Sequence, residues 1–311
     1  MSALHPVGLA ASLERAAEML GSVAKSDWPI GGLTTYRVGG AASLYCEPAG
    51  LAELERISEV VGATGIDLLV LGKGSNVLVA DAGFTGLCLR LGEGFAHIEI
   101  EGDLVRAGGA TAYPVLARRT ASAGLTGLEW AVGIPGSVGG AVRMNAGGHG
   151  AETSDRLVAC RVVTMGAARC EDVLAADLNL SYRHSALLVS DVVIEASYRL
   201  EQGEPAVSAR RIAEIVRWRR EHQPGGQNAG SVFTNPADDT AGRLVEQAGL
   251  KGLRLGTAAV SDKHANFIQA DPGGSADDVK RLIGVVQRLV AERLGVDLRT
   301  ELHMVGFEEE S

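Results

Sequence analysis

The chain predicts an α+β fold with loops suited to phosphate, and three observations carry that expectation. Over residues 43–71 a helical stripe lies between two strand-like runs, which makes a β-α-β unit. Short strand-like segments then recur between 87 and 107 and again between 157 and 200. Between those groups, residues 124–150 hold nine glycines in 27 positions. Glycine permits positive φ and lets backbone N–H groups approach a ligand with no Cβ in the way, which is how proteins wrap phosphates and flat cofactor rings. This stretch has no uninterrupted apolar period for a helix or strand, so it is expected to serve a bound nucleotide cofactor and not to fill a core. The plainer alternative is a long surface loop with glycine turns. A compact domain rarely keeps so long an irregular segment unless it is functional or disordered, and Leu125, Leu128, Trp130, Val132, Ile134, Val138, Val142 and Met144, interleaved with the glycines, fit disorder poorly.

Composition sets the outer limits. With 311 residues and 46% hydrophobic content the chain can build two or three ordinary domains. A net charge of −9 argues against nucleic acid or an anionic membrane as the main partner. Cys46, Cys88, Cys160 and Cys170 form no CxxC pair and no His-Cys ligand spacing, so no metal site is expected, and reduced cysteines in strands of a cytoplasmic protein are. The first twenty residues lack a basic n-region, and no run approaches the roughly 18 apolar residues of a membrane helix.

In order along the chain, Leu13–Leu20 reads as a short helix and residues 34–40 as a turn rich in hydrogen-bond donors. Ser43–Glu47 is a strand. Pro48–Val61 is a helix with Leu51, Leu54, Ile57, Val60 and Val61 on one stripe, and Asp67–Leu71 is a buried parallel strand. The loop Gly72-Lys73-Gly74-Ser75-Asn76 follows it, at the end of a parallel strand where open α/β sheets hold phosphates. It matches neither GxGxxG nor GxxxxGK[ST], so an ordinary Rossmann or ATPase site is not supported. Strands are expected at Leu87–Leu91, His97–Glu101 and Leu104–Ala107, the last two joined at Gly102-Asp103, then a helix over Tyr113–Ala123. Leu157–Met165 and Val192–Leu200 read as strands, and residues 201–205 as a linker. The helix from Val207 to about Arg220 carries five arginines in an acidic protein, with Arg219 near the stripe of Ile212, Ile215 and Val216. A solvated face or an anion held at the helix end would each account for it. Beyond lie a helix at Ala241–Ala248, strands at Leu255–Val260 and Asn266–Gln269, and a helix capped near Ser275 with a stripe from Val279 to Leu294. The closing strand, Leu298–Val305, puts Glu301 on its polar face.

An ordered set of motifs goes further: Thr34-Thr-Tyr-Arg-Val-Gly-Gly40, Leu71-Gly-Lys-Gly-Ser-Asn-Val-Leu78, residues 127–141, Tyr182-Arg-His-Ser185, Asn228-Ala-Gly-Ser-Val-Phe-Thr-Asn-Pro236, residues 248–252 and His264-Ala-Asn-Phe-Ile268. Together they resemble the UDP-N-acetylenolpyruvoylglucosamine reductase family from about residue 28 to 306. The resemblance implies an FAD-binding region of vanillyl-alcohol-oxidase type over 1–200, in two subdomains of roughly 1–85 and 86–200, and an α+β substrate-binding domain over 201–311. It implies noncovalent FAD, NADPH as electron donor, UDP-N-acetylglucosamine-enolpyruvate as substrate and a monomer. Hydride passes from reduced flavin to C3 of the enolpyruvyl ether and a proton is delivered to C2.

By the family's motifs, Ser231 matches the proton donor, and Arg183 and Glu301 match the other catalytic positions. The resemblance assigns the flavin to Tyr36, Arg37, Gly39, Gly72, Lys73, Gly74, Ser75, Asn76, Val77, Leu78, Gly133, Ile134, Pro135, Gly136, Ser137, Gly139, Gly140, Asn145, Ala146 and Gly147. It assigns the substrate to Tyr182, Arg219, Asn228, Asn235, His264 and Asn266. Without the motifs, Ser231 reads as a turn or N-cap serine, Arg183 as a loop brace and Glu301 as solvent-facing. Three places depart from the family pattern. His149 stands where tyrosine is usual and Gly148 where alanine is usual, and Glu301-Leu-His-Met replaces Glu-Val-Arg-Ile. The stretch between Leu200 and Ser231 is too short for the tyrosine-bearing substrate loop, so the arginine helix with Gln223 is the candidate to close over the nucleotide. Another oxidase of the same fold, or a silent nucleotide-sugar binding protein, are the competing functions.

Overall fold

A computed structural model describes residues 6–308, and the chain divides into two compact units. The first comprises the residues up to Trp28, Ser43–Lys73 and Thr85–Arg217. The second comprises Pro29–Ala42, Gly74–Phe84 and the chain from Trp218 onward.

At the centre of the first unit is an antiparallel five-stranded sheet in the spatial order Arg169–Leu174, Leu157–Thr164, Asp191–Arg199, Leu104–Gly108, Ile98–Glu101. Two of its three inner strands, Leu157–Thr164 and Asp191–Arg199, are rich in β-branched residues and contribute to two cores. Val162, Val193, Ala196 and Tyr198 pack with the helix Tyr113–Ser122 and the glycine-rich segment. Val163, Val192 and Ile194 pack with Leu54, Ile57, Val60 and Val61 of the helix Leu51–Thr64. That helix stops at Gly65, whose φ of 64° suits only a residue with no Cβ penalty and whose N–H closes on Val61 O. A second sheet has the order Lys25–Trp28, Ala42–Cys46, Phe84–Leu89, Leu68–Val70, so the two strands flanking the Leu51–Thr64 helix are separated by Phe84–Leu89. Leu68–Val70 runs parallel to Leu87–Leu89 and is half-buried, not the fully buried strand expected.

In the second unit the helix Ala276–Leu294 buries Val279, Leu282, Ile283, Val286 and Val290, the stripe read from the sequence. It packs with the three-stranded sheet Arg254–Leu255, Ala258–Val260, Ile268–Ala270 and with the helix Ala241–Gln247 in one core. Val77–Val79 pairs in parallel with His303–Val305.

Several expectations need correction. The first helix runs Pro6–Leu20, well before Leu13. The strand Arg169–Leu174 lacks an apolar stripe, being an edge strand with exposed Arg169, Cys170, Asp172 and Leu174. Residues 201–205 are not a bare linker, since Glu201–Gln202 pairs with Leu125–Thr126 and Pro205 opens the helix Pro205–His222, its fixed φ suiting a first turn. The closing strand narrows to His303–Val305, although Leu298 and Leu302 are buried as the alternation requires. The glycine-rich segment does help fill a core. Leu125, Leu128, Trp130, Val132, Val138 and Val142 all lie in it, through a 3-10 turn at Glu129–Gly133 and a short helix at Val138–Arg143. All four cysteines lie in strands as free thiols, and burial pushes Cys46, Cys88 and Cys160 up to about 12. Among the described residues no helix is long and apolar enough to cross a membrane.

The start of the Ala276–Leu294 helix is held twice. Ser275 Oγ accepts from Asp278 N–H at 3.1 Å, while the Asp81 carboxylate accepts from Ala276 N–H at 2.9 Å, from Asp277 N–H at 3.3 Å and from the Ser275 hydroxyl. A carboxylate at a helix N-terminus satisfies orphan donors and opposes the helix dipole. Asp81→Ala should therefore lower unfolding stability by about 1–2 kcal/mol in urea titrations. An unchanged midpoint would show that Ser275 suffices.

Candidate functional site

In the first unit, polar side chains and neighbouring backbone secure the glycine-rich segment. Gly136 O accepts from Tyr113 N–H at 3.0 Å, and Val138 N–H and Gly139 N–H donate to Thr111 O and Gly109 O, both at 2.9 Å. Ser137 caps the Val138–Arg143 helix, its Oγ accepting from Gly140 N–H at 3.3 Å. Gly72 lies against this cap, since a Cβ there would stand 2.6 Å from Ser137 Oγ. The loop after Leu68–Val70 and the turn at 136–140, both expected at the cofactor, are thus brought together at Gly72 and Ser137.

Buried Glu129 has three hydrogen-bond donors converging on its carboxylate. Ser208 Oγ donates at 2.5 Å, Thr126 Oγ1 at 2.6 Å and Gly127 N–H at 2.9 Å. Burial alone would raise its carboxyl, but the bonds from Ser208, Thr126 and Gly127 outweigh it and hold the group below the usual glutamate value. Further along, buried Asn145 and the turn at residues 181–184 are joined. Asn145 Nδ2 donates to Ser181 O at 3.0 Å, and Ser181 and His184 exchange main-chain bonds of 3.1 and 3.0 Å. Arg183 sits in this turn at φ 56°, with Nη2 donating to Gly147 O at 2.9 Å and its guanidinium 4.9 Å from the ring of half-exposed Tyr182. Non-glycine residues held at positive φ cost of order 1–3 kcal/mol and gather at functional sites. Arg37, Asn145, His149 and Arg183 are at positive φ, as are Asp27, Ala168 and Asn179, which lie outside the expected site.

In the second unit, residues 34–40 and 74–80 lie side by side. Thr35 N–H donates to Gly74 O at 3.0 Å and Gly40 N–H to Ala80 O at 2.8 Å. The approach leaves no room for side chains, because a Cβ on Gly74 would fall 2.6 Å from Thr34 Cα and one on Gly39, at φ 102°, would overlap Val79 O. Ser231 and Glu301 belong to adjoining segments. Glu301 N–H donates to Val232 O at 2.8 Å, and Thr234 N–H donates to Arg299 O at 2.9 Å. Asn76 reaches the same place, donating from Nδ2 to Glu301 O at 3.1 Å and accepting at its carbonyl from His303 N–H at 3.1 Å. Behind Ser231, buried Asn266 grips Phe233 with both ends of its amide, accepting from its N–H and donating to its carbonyl, each at 2.9 Å.

Two family models cover the chain, one for an FAD binding domain over residues 42–171 and one for the UDP-N-acetylenolpyruvoylglucosamine reductase C-terminal domain over 222–305. A UDP-N-acetylenolpyruvoylglucosamine reductase of Rubrobacter xylanophilus is 43% identical over 91% of this chain and 95% of its own length. The chain belongs to the UDP-N-acetylenolpyruvoylglucosamine reductase family. The Bacillus subtilis reductase is 38% identical over 89% of this chain and 92% of its own length. The crystal structure of the Thermus caldophilus reductase superposes with a TM-score of 0.78 at 36% identity, over 89% of this chain and 97% of that one. An α+β fold with an FAD-binding domain follows.

Within the reductase fold, the expected substrate residues fall mainly in the second unit. Next to Asn266, whose N–H donates to its Nδ1 at 3.2 Å, His264 stands edge-on to Phe267, and burial lowers its basicity. The Asn228 side chain shapes its own turn, accepting from Gly230 N–H at 3.0 Å and donating to Gly225 O and Gly226 O. Exposed Asn235 accepts from Ala241 N–H at 3.0 Å, at the start of the Ala241–Gln247 helix. Arg219 is partly buried, which lowers its pKa, and its Nε donates to Gln223 Oε1 at 2.7 Å, so the two residues expected to act together are paired. Tyr182 and Arg183 belong to the first unit. Glu129 and Arg143 were missed by the sequence reading. Arg143 donates to the carbonyls of Leu187 and Leu188 and so fixes the chain just beyond the Arg183 turn. A charged residue between small and apolar neighbours was the available signal for each.

Glu129→Ala would strand three donors, each worth about 1–3 kcal/mol when left buried and unpaired. The variant is expected to lose at least about 2 kcal/mol of unfolding stability at pH 7. Because the folded carboxyl is held below its unfolded value, the wild-type contribution is present above the unfolded pKa and is lost as pH falls through the folded one. Wild-type and variant stabilities should therefore converge on acidification below about pH 4.3, the unfolded glutamate value. A difference that stays constant down to pH 3 would contradict the ionised clamp.

Proposed function

We propose that this chain is an FAD-containing, NADPH-dependent oxidoreductase that reduces the enolpyruvyl ether of UDP-N-acetylglucosamine-enolpyruvate to UDP-N-acetylmuramate for peptidoglycan precursor synthesis. Its family membership over nine-tenths of its length supports the reaction class. The observation that supports the site is the main-chain contact between the segments bearing Ser231 and Glu301, in which Glu301 N–H donates to Val232 O, together with the Asn266 amide that holds Phe233. Residues 1–200 act as the flavin region, with subdomains near 1–85 and 86–200, and 201–311 as the substrate domain. The protein works as a cytoplasmic monomer with no nucleic-acid or membrane partner.

The residues fit a phosphate-bearing flat cofactor. Gly72 is exposed with no side chain to bar a ligand, and the Gly136–Gly140 turn beside it has no acidic side chain, although the N–H groups of Val138, Gly139 and Gly140 are spent on Thr111 O, Gly109 O and Ser137 Oγ. FAD would be held noncovalently by Tyr36, Arg37 and Gly39, by residues 72–78, and by Gly133–Gly140 and Asn145–Gly147. When bound, it supplies a ring that takes hydride from NADPH and gives it to C3 of the enolpyruvyl group.

The chain's own residues handle the charge and the proton. Ser231 Oγ delivers a proton to C2, Arg183 balances the negative charge on the carboxylate as C3 becomes saturated, and Glu301 positions the substrate and tunes the proton relay. His264, whose protonation burial opposes, binds the substrate alongside Asn228, Asn235, Asn266 and Tyr182. Arg219, pre-oriented by Gln223, takes the diphosphate.

The two half-reactions need different residues, since flavin reduction requires no proton at C2. Ser231→Ala should leave anaerobic flavin reduction by NADPH near normal and slow reoxidation by the enolpyruvyl substrate by roughly 10²-fold to 10⁴-fold. Ser231→Cys, which keeps a transferable proton, should retain more activity. Rapid-reaction traces decide it, and an alanine variant that is reoxidised at the normal rate would end the assignment.

A further inference from the structure

Asn145 is fully buried in the glycine-rich segment at φ 39°, and both ends of its amide are committed to other parts of the chain. Oδ1 accepts from Ser154 N–H at 2.9 Å, and Nδ2 donates to Ser181 O at 3.0 Å. Ser181 opens the four-residue turn that carries Arg183, closed by the paired main-chain bonds between Ser181 and His184. Within that turn Arg183 takes the left-handed conformation that side chains seldom adopt. Its Nη2 then returns to Gly147 O, two residues beyond Asn145. The turn is thus tied twice to one short piece of chain, at Ser181 by the Asn145 side chain and at Arg183 by the Gly147 carbonyl.

The geometry points to Asn145 as a positioning residue for Arg183, fixing the turn so that the guanidinium meets the charge developing on the substrate. The inference rests on the reading of Arg183 as a catalytic residue. Asparagine meets the two demands that other side chains do not. It tolerates the left-handed backbone, and it offers one donor and one acceptor at the same buried point. Aspartate would keep the acceptor for Ser154 but set a carboxylate against Ser181 O. Alanine would leave both partners buried and unsatisfied. A displacement of about 1 Å at a catalytic group can cost about 10²-fold in rate, so a loosened turn should be visible in the chemical step.

The test uses the holoenzyme with Asn145→Asp, Asn145→Gly and Arg183→Ala, and the double variant Asn145→Asp/Arg183→Ala, in anaerobic rapid mixing. Glycine keeps the left-handed backbone and guards against a variant that fails to fold. With rates taken per bound FAD, reoxidation by the enolpyruvyl substrate should slow by about 10- to 100-fold in both Asn145 variants, a larger loss than either shows in flavin reduction by NADPH. The double variant should be no slower than Arg183→Ala alone, because Asn145 acts through that arginine. Losses that multiply in the double variant, equal per-flavin losses in both half-reactions, or wild-type reoxidation in Asn145→Asp would each overturn the proposal. Normal reoxidation in Arg183→Ala would instead refute the role of Arg183, and this inference with it.

Discussion

A buried backbone amide must find a partner, and a segment with neither a long helix nor a long strand cannot supply its own. The stretch from Gly124 to Gly150 faces that constraint in full, because its apolar residues lie in a core and carry the chain inside with them. Three buried polar side chains answer it: Glu129 gathers the donors at the entry, Ser137 caps the six-residue helix, and Asn145 ties the exit to the neighbouring turns. Core packing and ligand-binding geometry are therefore one problem here. The same chain that buries Trp130 and Val138 ties the glycine turn at 136–140 to Thr111, Gly109 and Ser137 through the N–H groups of Val138, Gly139 and Gly140.

The second unit solves a related problem by close approach. Segments 34–40 and 74–80 lie so near each other that Gly39 and Gly74 are the residues the contact allows, and both are at positive φ. Beside them the Asn266 amide imitates a neighbouring strand for Phe233, so the short piece bearing Ser231 is rigid without being part of a regular sheet. A side chain placed on such a braced segment has little freedom to lose when a ligand arrives.

Legibility in the sequence followed the length and regularity of each feature. The stripe of Ala276–Leu294 repeats over five turns and was readable, as was that of Leu51–Thr64. The helix Val138–Arg143 has only Val138, Ala141 and Val142 to mark it, and Gly139 and Gly140 weaken the signal further. Arg169–Leu174 was hidden because an edge strand needs no apolar face. The proposed site chemistry rests on motif order alone: Ser231 and Glu301 are far apart in the chain, and alternation by itself sends Glu301 to solvent, whereas it is half-buried and its N–H bonds to Val232 O. The Ser208 bond to Glu129 and the double tie of Asn145 could not be read, because each joins segments whose adjacency only the fold creates.

An FAD-containing reductase of this family must take electrons from NADPH onto bound FAD and pass them to the enolpyruvyl sugar. Anaerobic absorption spectroscopy of the purified protein addresses this directly. The account predicts a flavin spectrum that NADPH bleaches and that returns on adding UDP-N-acetylglucosamine-enolpyruvate, with stoichiometric formation of UDP-N-acetylmuramate. A protein without flavin, or a reduced flavin that oxygen reoxidises and the enolpyruvyl sugar does not, would contradict it.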